Sequence, residues 1–77
     1  SDYVTLVAGN YTQGRDLAEA EAQLAGLNAP NNGFLVAGVA ERRINQGAPP
    51  LELSALSQLA MALGVQNSIL AAYLPTP

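Results

Sequence analysis

The groups in this 77-residue chain that could do chemistry are six carboxylates, three arginines and a scatter of hydroxyls. The carboxylates are Asp2, Asp16, Glu19, Glu21, Glu41 and Glu52, and the cations are Arg15, Arg42 and Arg43. Histidine and cysteine are absent. That removes the side chain most used for proton transfer near neutral pH and the thiol nucleophile. It also removes the ligands of ordinary structural zinc sites. A hydroxyl nucleophile needs an activating base, and Ser54, Ser57 and Ser68 have none close in sequence. Glu19 and Glu21 are two positions apart, so on a helix they leave from different faces. Neither the GxGxxG nor the P-loop phosphate pattern occurs. Asn10-Tyr11-Thr12 fits the short acceptor pattern for N-glycosylation. No catalytic, cofactor-binding or metal-binding residue is assigned, no small-molecule substrate is evident, and the chain reads as non-enzymatic.

The sparsity of charge is itself informative. Charged residues make up 12% of the chain, about half the usual share of ~25%. Charge keeps small domains soluble and monomeric. A chain of this length makes one small domain, and such domains bury a modest fraction of their surface. They are commonly reinforced by a disulfide, a metal or a partner subunit. Without cysteine or histidine, a partner subunit is the remaining common route. Net charge is −3. A tight nucleic-acid complex neutralises about 6–10 phosphates, so three arginines in one copy fall short, whereas a dimer approaches that number. No apolar run nears the ~18 residues of a membrane span, so no membrane segment is expected, and no leader peptide is visible. The compartment is left open.

Four segments must position these groups. Residues 15–26 have Leu17, Ala20, Leu24 and Leu27 at helical spacing, with acids in the first turns where the helix dipole favours them. Residues 31–44 read as a buried helix rather than a strand. An asparagine at its start can cap it, and Arg42 and Arg43 close it. Residues 50–63 carry Leu56, Leu59, Ala60 and Leu63 on one face. The other face of that helix holds Ala55, Met61 and Ala62 beside Ser54, Ser57 and Gln58, all uncharged. Residues 67–74 form a short helix capped by Asn67 and stopped by Pro75, with Ile69, Leu70 and Tyr73 packing. Gly26, Gly47 and Gly64 each follow a helix, where glycine takes positive φ cheaply. Residues 1–14 differ: Tyr3-Val4-Thr5-Leu6-Val7 reads as an extended arm. A lone strand has no partner in a helical chain, so the segment either reaches a neighbour or is a further helix. Gln23-Leu24-Ala25 and Gln58-Leu59-Ala60 each lead through an Asn-containing turn into an apolar run, which suggests two stacked helical hairpins.

Leu56, Leu59, Ala60, Leu63, Gly64 and Val65 form an L-x-x-L-A-x-x-L-G-V pattern. With Ile44 and Gly47 ahead of it, this stretch resembles the C-terminal helices of Cro/C1-type repressor domains. The resemblance covers about 22 of the 77 residues. It implies a helix–turn–helix DNA-binding domain acting as a dimer, with the recognition helix within 31–43 and Arg42, Arg43 and Gln46 near DNA. Asn45 stands where that family has Glu, the proline comes one position early, and the first half of the helix–turn–helix has no gap-free counterpart.

The sequence therefore predicts an all-α fold: a small bundle of about four short helices with an extended N-terminal arm, in one domain over 1–77. The expected role is structural or assembly-forming, as a subunit of a homo-oligomer, filament or shell, or a protein-interaction module. The alternative is the Cro/C1-like DNA-binding dimer. The interface candidates are Ala55, Met61 and Ala62 on the uncharged helix face, and Phe34 as an aromatic anchor. Arg42 and Arg43 complete the set, as partners for a neighbouring subunit's Glu19 or Glu21.

Overall fold

The chain is helical from Asp2 to Gly14. A computed structural model describes residues 2–75 and places five helices in the order α1 (Asp2–Gly14), α2 (Leu17–Ala25), α3 (Asn32–Asn45), α4 (Pro50–Ala62) and α5 (Ser68–Ala71). The fold is an all-α small bundle, as the sequence predicts, with the arm replaced by a fifth helix. Val4, Thr5 and Val7 favour a strand locally. Yet Val4, Val7, Ala8 and Tyr11 recur at i, i+3, i+4 and i+7, and the first three are buried in the core with Tyr11 packed on it. Burial of that stripe against α4 overrides the local preference.

The helix ends follow the residues at them. At the end of α1, Arg15 takes a left-handed φ of 57°, and its N–H donates to the Tyr11 carbonyl at 2.6 Å. Asp16 then caps α2, accepting from the Glu19 N–H at 3.1 Å. Asn31 caps α3 by accepting from the Phe34 N–H at 3.0 Å. Pro50 opens α4, where its missing N–H costs nothing. Asn67 caps the single turn α5, accepting from the Ile69 and Leu70 N–H groups, and its own amide donates to Glu41 of α3. Gly47 and Gly64 take positive φ as expected. Gly26 does not: its φ is −64°, and the left-handed residue of that turn is Asn28, a residue type that tolerates this region.

α4 is the centre of the bundle, packed on α1 along one side and α3 along the other. Leu53, Ala55, Leu56, Ser57, Leu59 and Ala60 are buried around more than half of its circumference. The core continues through Leu24 of α2, Val36, Val39 and Ala40 of α3, and Leu70 of α5. The start of α3 sits tightly on the turn after α4, because Gly33 lets the backbones close up. A Cβ there would lie 2.8 Å from Val65 Cγ2 and 3.3 Å from the Leu63 carbonyl oxygen. The Cα radius of gyration is 11.0 Å, close to the ~11.5 Å of a compact domain this long.

Three further expectations change. α3 is amphipathic rather than buried all round: Phe34 is 69% exposed, and Gly38, Glu41 and Arg42 face outward. Ile69 is exposed and Leu70 alone anchors α5. The two repeat-like halves are not equivalent hairpins, since one apolar run becomes the 14-residue α3 and the other a 4-residue turn of helix.

Candidate interaction surface

Charge is segregated along the chain, and folding turns that into sidedness. Arg15, Asp16, Glu19, Glu21, Glu41, Arg42 and Arg43 lie on α2, α3 and the turn before α2. α1 and α4, which pack together, contain only Asp2 and Glu52. Glu52 is neutralised within the chain. The Arg43 guanidinium grips its carboxylate through Nε and, at 3.1 Å, through Nη2, while Nη1 donates to Gln46 Oε1 at 2.6 Å. This fork–fork pair ties the last turn of α3 to the first turn of α4.

Between α1 and α4 runs a groove of about 540 Å³. Thr5, Gly9 and Thr12 line it from α1, and Leu51, Ser54, Ala55 and Gln58 from α4. Small residues make its floor. Thr12 donates its hydroxyl to its own helix, at Gly9 O, at 2.9 Å. Gln58 Nε2 donates to Ser54 Oγ at 3.1 Å, while its Oε1 is buried without a hydrogen-bond partner. Leu51 stands at the rim, 84% exposed, the most exposed of the large apolar side chains. From Leu51 an outward stripe continues along α4 through Ser54, Gln58, Met61 and Ala62, at i, i+3, i+7, i+10 and i+11, all at least partly exposed. No charge interrupts it.

The structure distributes the sequence candidates over two regions. Ala55, Met61 and Ala62 share α4, but Ala55 is only 9% exposed and serves the core as well as the groove wall. Phe34 lies on α3, beside a second apolar hollow lined by Pro30 and Leu35. Arg42 is exposed at the end of α3, whereas Arg43 is engaged with Glu52. Sequence reasoning missed Thr5, Gly9, Thr12 and Leu51. Reading 1–14 as extended hid the first three, although the helical period of Val4, Val7, Ala8 and Tyr11 would have placed them together. Among the described residues, no three acidic side chains gather into a group able to hold a metal ion, and no helix is long and apolar enough to cross a membrane.

The L-x-x-L-A-x-x-L-G-V residues have structural jobs here. Leu56, Leu59 and Ala60 are fully buried, Gly64 supplies a φ of 97°, and Val65 donates its N–H to Ala60 O. Comparison with protein-family models, curated proteins and solved structures gave no significant match.

Proposed function

We propose that this chain is a non-enzymatic assembly subunit that associates with further copies of itself. The observation that carries the reading is the α1/α4 side of the bundle, whose described charged side chain, Glu52, is already ion-paired. A chain of net charge −3 repels its own copies least across such a side. Meeting through α2 would instead set Asp16, Glu19 and Glu21 against one another. DNA is the poorer partner. α2, the first helix of the would-be helix–turn–helix, carries acids and no cation. The exposed face of α3 leads with Phe34, and Arg43 is committed to Glu52.

Light scattering coupled to size-exclusion chromatography tests this, with the native mass followed as concentration rises. The reading predicts a mass that climbs above the 7.9 kDa of one chain. A mass fixed at one chain at millimolar concentration contradicts it. A salt-sensitive shift of random duplex DNA would favour the repressor-like alternative instead.

A further inference from the structure

The assembly reading leaves open which surfaces meet, and here the shape of the groove is specific. A concave apolar groove facing its own copy leaves a void unless something convex fills it. The convex feature is adjacent: Leu51, 84% exposed at the groove's rim. When a knob and a hole adjoin on one surface, a twofold axis beside them puts each knob into the other copy's hole. This is the self-complementary arrangement of an isologous dimer. The floor offers room, because a Cβ built on Gly9 meets nothing within 4 Å. We propose, resting on the assembly reading, that the α1/α4 groove seats Leu51 of a second copy in a closed twofold dimer. The Met61–Ala62 end of the stripe extends the contact.

Charge favours a second copy as the occupant. The lining contains one charged residue, Glu52, which Arg43 neutralises in each copy. Two like-charged chains can therefore close here without setting unpaired acids face to face. An interface of ordinary size takes about 800 Å² from each partner, about a sixth of the 4579 Å² that one chain exposes. A competing apolar patch, around Phe34, is formed by the start of α3 and the turn before it. A Phe34 knob entering the groove would make a head-to-tail contact that need not close.

Sedimentation equilibrium of the wild type, Leu51→Ala and Phe34→Ala chains decides between these. Both side chains are exposed, so unchanged helical circular dichroism will show that each variant folds. The wild type should plateau at two chains. Leu51→Ala removes two leucine burials per dimer and should raise the dissociation constant about 100-fold, with Phe34→Ala left near wild type. Masses that grow past two chains, a Leu51→Ala chain that associates like wild type, or equal loss in both variants would overturn the twofold groove contact. In each of those cases the chain still associates, so the assembly reading survives. A monomeric wild type removes both.

Discussion

Gly33→Ala is the substitution whose cost the structure specifies most fully. Gly33 is in the first turn of α3 and buried against the turn that follows α4. An added Cβ would stand 2.8 Å from Val65 Cγ2, 3.2 Å from Asn31 Oδ1 and 3.3 Å from Leu63 O. The first contact is with a side chain that is 9% exposed and part of the core. The second is with the cap acceptor of α3, and the third is backbone. None can yield freely. Overpacking of this kind costs about 1–3 kcal/mol, against roughly 0.5–1 kcal/mol that alanine returns in helix propensity. The mid-values leave a net loss of about 1 kcal/mol, or a melting point lower by ~4–8 °C for a domain of this size. Thermal melts and urea titrations followed by circular dichroism at one fixed protein concentration read it directly. The urea midpoint should fall with its slope unchanged. Val65→Ala removes the closest atom, so the double variant should be less destabilised than the two single losses added together, by about 0.5 kcal/mol or more. A Gly33→Ala chain as stable as wild type would show that α3 does not sit on the 63–65 turn as described.

Gly38 is the contrasting helix glycine: it is exposed on α3 and a Cβ there meets nothing within 4 Å. Gly38→Ala should therefore stabilise the fold by about 0.5–1 kcal/mol, seen as a higher urea midpoint. A lower midpoint would mean that something outside the chain packs against α3. Glu52→Gln breaks the ionic grip of Arg43 at a site where the two side chains are 34% and 19% exposed. It should cost about 1 kcal/mol, and the difference from wild type should shrink as salt rises. A salt-independent loss would assign the effect to packing.

Much of this fold is legible in the sequence because its signals are local. Asn31, Asn67, Pro50, Gly47 and Gly64 mark helix ends by chemistry that needs no tertiary partner. The Leu56–Leu59–Ala60–Leu63 stripe declares a core face by its spacing alone. What was illegible depends on partners. Val4 and Val7 prefer a strand until the core covers them. Phe34 looks like a core residue until α3 is seen to bury Val36, Ala37, Val39 and Ala40 along another line. The low charge and the uncharged face of α4 could be read directly. The groove could not, because it is made by two helices that lie far apart in sequence. Its α1 wall consists of Thr5, Gly9, Thr12 and Gln13, residues with no distinctive chemistry of their own.

The central claim is that the uncharged α1/α4 side meets another copy, and amide NMR of the isotope-labelled chain across a dilution series tests it residue by residue. Concentration-dependent shifts should cluster between Thr5 and Gln13 and between Leu51 and Ala62, with the α2 amides unmoved. Shifts confined to α2 and α3, or none up to millimolar concentration, would contradict the account.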